Sequence, residues 1–181
     1  QVTPIAIVTG AASGLGFEFS KLLASDRHPL LMIDKNEAAL LEAHSFILKN
    51  FGTDADILCL NLTEPESIEH IMQHLGSRDI GILINNAGFG LYGHFISTSW
   101  ESEEEMIRLH ILNLTLLTKL VVKKMVDRKA GRILNVSSLA ALQPGPLFSV
   151  YSASKAYIRS FSMALSAELK KTCITVTVLC P

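Results

Sequence analysis

The stretch Ile5-Ala6-Ile7-Val8-Thr9-Gly10-Ala11-Ala12-Ser13-Gly14-Leu15-Gly16 decides the fold. Its first five residues are apolar and mostly β-branched, the pattern of a strand buried on both faces. Three glycines follow within seven residues. From Gly14 to Ala24 the residues Leu15, Phe19, Leu22 and Leu23 recur at helical spacing and are expected to pack on the strand. A strand, a glycine turn and a helix in that order suit a phosphate-bearing dinucleotide. Glycine lets the chain turn tightly and approach a pyrophosphate, and the helix offers its N-terminal N–H groups to the phosphates. Gly10, Ser13, Gly14, Leu15 and Gly16 are the candidate residues. The spacing is G-x-x-x-G-x-G, not G-x-G-x-x-G. No Lys-Ser/Thr pair follows the last glycine, which excludes a P-loop.

Outward from this corner the pattern repeats. Further short apolar runs lie at 30–34, 56–60, 80–85, 132–137 and 174–179. Amphipathic helical stretches separate them. Asn36 is placed to cap a helix ending near Lys49. Thr63 is placed to cap the next, with Pro65 in its first turn and Glu66 at capping-box spacing. A long helix is expected over 101–128, acidic at its start and basic near its end, as its dipole prefers. The last helix is expected over 151–171. Six βα units predict an α/β fold: a doubly wound parallel sheet, strand order 3-2-1-4-5-6, with helices on both faces. The whole of 1–181 reads as a single domain.

Composition narrows the function classes. Of 181 residues, 49% are hydrophobic and 18% charged, which excludes a disordered chain. Sixteen basic residues stand against 17 acidic ones, for a net charge of -1, so nothing favours nucleic acid or an anionic membrane. Cys59, Cys173 and Cys180 sit in apolar runs and are expected to be buried, reduced thiols. No signal peptide pattern precedes the first strand. The greasiest region, 111–122, is interrupted by Asn113, Thr115, Thr118 and Lys119, so no membrane span is expected. These features predict a cytoplasmic protein.

Two groups of residues carry chemistry. Asp34 ends the second strand, where a carboxylate can accept both hydroxyls of an adenosine ribose and repel an added phosphate. It favours NAD; the basic neighbour Lys35 leaves NADP open. Tyr151 and Lys155 lie four residues apart on one helix face. A free tyrosine titrates near ~10, and a nearby ammonium favours its phenolate. Ser138 follows the fifth strand, and Asn85-Asn86-Ala87-Gly88 ends the fourth. Both fall on the carboxyl edge of the sheet, where ligands bind in such folds.

Taken together, Thr9 to Gly16, Asn85 to Gly88, Ser138, and Tyr151 with Lys155 resemble the short-chain dehydrogenase/reductase family, in its short single-domain branch with a Rossmann sheet. The resemblance runs through the whole chain. It implies an NAD(P)-dependent enzyme interconverting a ketone and a secondary alcohol. Tyr151 would be the general acid/base, Lys155 would tune it and hold the nicotinamide ribose, and Ser138 would bind the substrate oxygen. Asn61, Leu62, Asn86, Ala87, Gly88 and Pro181 would contact the cofactor. The resemblance also implies a homodimer or homotetramer through the two long helices.

Three departures accompany it. Where many relatives carry a relay Asn on the long helix, this chain has His110, with Asn113 one turn later. Asn61 stands where relatives commonly have Asp. The chain ends at Pro181, where relatives continue into a substrate lid and a seventh strand. That end keeps a second reading open: a catalytically silent module binding a dinucleotide or a partner. Phe89, Leu91, Tyr92, Phe95, Leu139, Leu142, Leu147 and Phe148 are candidate pocket residues for a hydrophobic substrate. His70 and His74 have the spacing of a helical metal pair but lack an evident third ligand, so no metal is expected.

Overall fold

Ile5 and Ile7 face one side of β1 (Ile5–Thr9) and Ala6 and Val8 the other, and all four are buried. This two-sided burial explains why the run is apolar throughout. The computed structural model describes residues 3–181. After β1 come α1 (Gly14–Ser25), β2 (Leu30–Asp34), α2 (Glu37–Phe51), β3 (Ala55–Cys59), α3 (Ser67–Leu75) and β4 (Ile80–Asn85). Then come α4 (Trp100–Ile107), a π-helical segment (Arg108–Asn113), α5 (Leu114–Arg128), β5 (Gly131–Val136), α6 (Ser149–Glu168) and β6 (Ile174–Leu179).

All six strands are parallel, in the order β3-β2-β1-β4-β5-β6. The expected doubly wound sheet is therefore present. On one face Leu40, Ala43 and Ile47 of α2 meet Ala6, Val8, Leu30 and Met32. On the other, Ile68, Ile71 and Leu75 of α3 and Leu117, Val121 and Met125 of α5 meet Ile7, Leu31, Ile33 and Leu83. The chain order reverses between β1 and β4, which opens a crevice beyond their carboxyl ends.

Five local expectations are corrected. Helix α1 packs through Gly16, Ser20 and Ala24, and Phe19 and Leu23 lie half-buried against the same core as expected, but Leu15 and Leu22 stay exposed. The helix lies too close to the glycine turn for large side chains to stand between. Thr63 does not cap α3, which starts at Ser67 without a side-chain cap. Residues 61–67 form turns instead, and Asn113 Nδ2 draws the carbonyls of Leu62 and Glu64 toward the core at 2.7 and 3.2 Å. The single long helix over 101–128 is interrupted by the π segment, which turns His110 and Asn113 inward. Cys59 and Cys173 are exposed and Cys180 half-buried, because they border the two edge strands. On β6, Thr175 and Thr177 are exposed while Val176 and Val178 are half-buried, so this edge strand is covered on one face.

Candidate active site

Thr9 organises the carboxyl edge. Its Oγ1 donates to Ile84 O at 3.3 Å and accepts from Asn86 N and Ala87 N, each at 3.0 Å. Asn86 Nδ2 then donates to Thr9 O at 3.0 Å and Gly10 O at 3.2 Å. The glycine turn and the Asn-Asn-Ala-Gly turn are thus bonded to each other. Glycine is required where they meet the helix: a Cβ on Gly16 would stand 1.9 Å from Gly10 O, and Gly10 itself has φ +65°.

Between these turns and the end of β2 lies a cleft of about 390 Å³. Gly10, Ser13, Gly14 and Leu15 line its first wall, Asn61 and Leu62 its outer end, and Asn86, Ala87 and Gly88 its inner end. Asp34 and Lys35 lie on its rim. Ten of the fourteen sequence-derived cofactor residues therefore share one concavity, and Tyr151 and Lys155 stand outside its lining. Gly16 packs beneath the turn. Pro181 does not line the cleft; its carbonyl accepts from Leu139 N at 2.8 Å, just beyond Ser138. Asp34 Oδ2 accepts from Ala12 N at 3.1 Å and Oδ1 from Asn36 N at 3.0 Å. The carboxylate thereby braces the glycine turn and stays fixed at the rim, with lone pairs remaining for a ligand. Asn61 Oδ1 accepts from Thr63 N at 3.2 Å.

The cleft fits a dinucleotide on its own geometry. Gly10 and Gly14, both at positive φ, line it, the N-terminus of α1 faces it, and Ser13 makes no side-chain cap there.

Lys155 and His110 stand against Gly88 at the inner end of the cleft. Ser138 follows β5 and opens a short helical turn, accepting from Ala140 N at 3.2 Å. Tyr151 and Lys155 occupy the first turns of α6, with Lys155 Nζ 5.8 Å from the Tyr151 ring centre. Lys155 is 5% exposed, and its Nζ donates to Val136 O at 3.1 Å. Burial pulls its ammonium down from 10.5 to about 8, so it still carries charge at neutral pH. A Cβ on Gly88 would lie 2.8 Å from His110 Nε2 and 3.3 Å from Lys155 Nζ. Glycine at 88, itself in the cleft wall, leaves room for both groups directly behind it.

His110 is wholly buried. Burial first, and the Lys155 charge second, lower its pKa from 6.5 to about 3, so the imidazole is neutral. Its ring centre lies 6.2 Å from Tyr151 and 6.0 Å from Phe89. Phe148 packs 5.9 Å from Tyr151, and Tyr92 packs 5.0 Å from Phe148. Tyr151 is thus set in a row of aromatic rings. Asn113 belongs elsewhere, bonded to the turn after β3. His70 is exposed, and His74 Nε2 lies 3.4 Å from Asp56 Oδ2. Among the described residues no His, Cys, Asp and Glu side chains cluster as a metal-ion ligand set.

Sequence reasoning named Asn85 only within its turn and missed its partners Asn135, Thr118 and Ser162. Asn85 Nδ2 donates to Asn135 Oδ1 at 2.8 Å and Thr118 Oγ1 at 3.0 Å, and Asn135 Nδ2 donates to Ser162 Oγ at 2.8 Å. This buried network ties β4 to β5, α5 and α6 behind the site. Ser137 Oγ donates to the Lys155 carbonyl at 2.7 Å. Polar residues within apolar strands were the available signal, because a buried polar group needs a partner.

The short chain dehydrogenase family model matches residues 4–181, and the chain belongs to that family. Among curated proteins, mouse 17-beta-hydroxysteroid dehydrogenase type 3 is 39% identical over 179 residues, covering 97% of this chain and 58% of the mouse protein. The very-long-chain 3-oxoacyl-CoA reductase of Laccaria bicolor is 33% identical over 175 residues, covering 94% of this chain and 52% of that protein. The chain thus spans little more than half the length of these relatives. Among solved structures, a short-chain dehydrogenase from Sphingobium yanoikuyae in complex with NADPH is 30% identical, with TM-score 0.93, covering 98% of this chain and 70% of that one. A bulky-bulky ketone specific alcohol dehydrogenase from Comamonas testosteroni is 28% identical, with TM-score 0.94, covering 98% and 71%. Among the described residues no helix is long and apolar enough to cross a membrane.

Proposed function

We propose that this chain carries the dinucleotide site and catalytic groups of an NAD(P)-dependent oxidoreductase that interconverts a ketone and a secondary alcohol. The observation that carries the reading is that Lys155 Nζ and His110 Nε2 both close on Gly88, which lines the cleft, with the Tyr151 ring beside them and next to Gly90. A bound nicotinamide supplies the hydride chemistry. Gly10, Ser13, Gly14 and Leu15 hold the phosphates, and Asn86, Ala87 and Gly88 border the nicotinamide end. Tyr151 exchanges a proton with the substrate oxygen, and the Ser138 hydroxyl hydrogen-bonds that oxygen. Lys155 keeps a buried positive charge beside the ring that exchanges the proton.

Asp34 favours NAD, since its braced carboxylate opposes the added phosphate of NADP. The relative solved with NADPH and the neighbouring Lys35 make this preference the first point to measure. The aromatic row around Tyr151, with exposed Leu139 and Leu142 nearby, supports a hydrophobic substrate. The names of the steroid, acyl-CoA and bulky-ketone relatives point the same way. Leu112, Leu116 and Met163 remain exposed on the long helices and support a homodimer or homotetramer, which light scattering checks.

The test is a fluorescence titration with NADH and with NADPH, followed by a ketone screen and Tyr151→Phe. The variant is expected to keep dinucleotide affinity and to lose roughly 10²- to 10⁴-fold in turnover, the span of general acid/base catalysis. Binding of neither dinucleotide would overturn the proposal and favour a silent module.

A further inference from the structure

His110 makes three buried contacts whose protons can be assigned by elimination. Phe89 N lies 3.3 Å from His110 Nε2 and can only donate, so Nε2 is bare. Ser154 Oγ lies 2.8 Å from Tyr151 O, which can only accept, so the serine proton points there. The same Ser154 Oγ lies 2.9 Å from His110 Nδ1 and must accept from it. One arrangement satisfies all three: an imidazole protonated on Nδ1, running Phe89 N–H to Nε2, Nδ1–H to Ser154 Oγ, and Ser154 O–H to Tyr151 O. Ser154 is 1% exposed, so a broken link leaves a buried polar group without water.

These contacts join three separate elements. Phe89 follows Gly88 on the turn that ends β4, His110 lies in the π segment, and Ser154 and Tyr151 lie on α6. We propose that His110 is a positioning residue, a neutral strap that holds the Gly88–Phe89 turn and the Tyr151 turn of α6 at a fixed separation. The inference rests on the oxidoreductase reading for its consequence but not for its geometry. The Gly88–Phe89 turn borders the nicotinamide end of the cleft, and α6 carries the proton-exchanging phenol. A strap between them governs the alignment of hydride and proton transfer more than the affinity for dinucleotide. Misplacing reacting groups by about 1 Å costs on the order of 10²-fold in rate. The π segment makes the strap possible, because it turns the side chain at 110 fully inward.

The first measurement is ¹⁵N NMR of the His110 ring in the unliganded chain. A pyrrole-type signal at Nδ1 and a pyridine-type signal at Nε2, unchanged from pH 8 to pH 5, is expected. Protonation on Nε2, or titration near the ordinary histidine value, would overturn the strap. Ser154→Ala then removes the middle link without enlarging any side chain. Amide hydrogen exchange at Phe89, on another element, is expected to rise at least ~10-fold as local opening becomes easier. An unchanged rate would make His110 a core filler and end the proposal.

Two half-straps separate positioning from packing. Asn at 110 keeps a donor near the Nδ1 position, and Gln keeps an acceptor near Nε2. His110→Asn and His110→Gln are each expected to lose roughly 10-fold in kcat, and His110→Leu roughly 100-fold, with NADH affinity held within about 3-fold. Equal kcat in all three variants, or a loss confined to KM, would refute positioning. A parent chain with the expected tautomer but no dinucleotide binding would leave the strap standing and remove the oxidoreductase reading instead.

Discussion

Lys155→Met should make the protein more stable at pH 7 while abolishing turnover. Lys155 is 5% exposed, and burial pulls its ammonium from 10.5 to about 8. A tenfold change in proton affinity is about 1.4 kcal/mol, so keeping this charge inside the fold costs on the order of 3 kcal/mol below pH 8. Methionine fills a similar volume without the charge. It also loses the bond from Nζ to Val136 O, 3.1 Å long, worth about 1 kcal/mol or somewhat more because the carbonyl is left unpaired. The net expectation is a gain of about 1–2 kcal/mol, or a rise of roughly 2–8 °C in Tm for a chain of this size. The pH dependence carries a second signature. Between pH 8 and 10.5 the unfolded lysine holds more protons than the folded one, so the parent gains stability as pH rises through that window. Below pH 8 both states are protonated and the cost is constant. Urea unfolding followed by far-UV circular dichroism at pH 7 and pH 10 measures both effects. The advantage of the variant should shrink or reverse at the higher pH. A variant less stable than the parent at pH 7, or a parent whose stability is flat from pH 8 to 10.5, would refute the assignment of a costly buried charge.

Acid should act through His110, whose pKa falls from 6.5 to about 3 on folding. The unfolded chain takes up the proton below pH 6.5, so the parent should lose about 2 kcal/mol between pH 7 and pH 5 in urea melts, and His110→Asn should lack that share. Gly16→Ala should abolish folding or NADH binding, because its Cβ would meet Gly10 O at 1.9 Å, whereas Gly52→Ala, with open space but φ +61°, should cost only about 1–2 kcal/mol in the same melts. Asn135→Leu should cost about 1–3 kcal/mol by taking one buried partner from each of Asn85 and Ser162, which keep Thr118 and the Ile158 carbonyl, and adding Asn85→Leu should cost less than the sum of the two singles.

Sequence alone pointed to the strand order and the glycine corner, and it proposed the short roster of Tyr151, Lys155, Ser138 and Asp34 through their shared sheet edge and the family resemblance. Local or periodic causes lie behind the parts read from the residues: two-sided strand burial for Ile5 to Thr9, positive φ or close approach for the glycines, and helical spacing for one shared face of Tyr151 and Lys155, whose roles came from the resemblance. Tertiary structure alone decided what depends on partners distant in the chain. Thr63 lost its expected cap because Asn113 reaches across to the carbonyls of Leu62 and Glu64. Leu15 and Leu22 stayed in solvent because Gly16 brings α1 down onto Gly10. Asp34 became a brace for the glycine turn through Ala12 N. His110, which carries no pattern among its sequence neighbours, acquired its surroundings from Phe89 and Ser154. Hydrophobic periodicity registers only which face of an element is buried. Hydrogen bonds between elements form only after those faces meet, so their partners cannot be read from spacing along the chain.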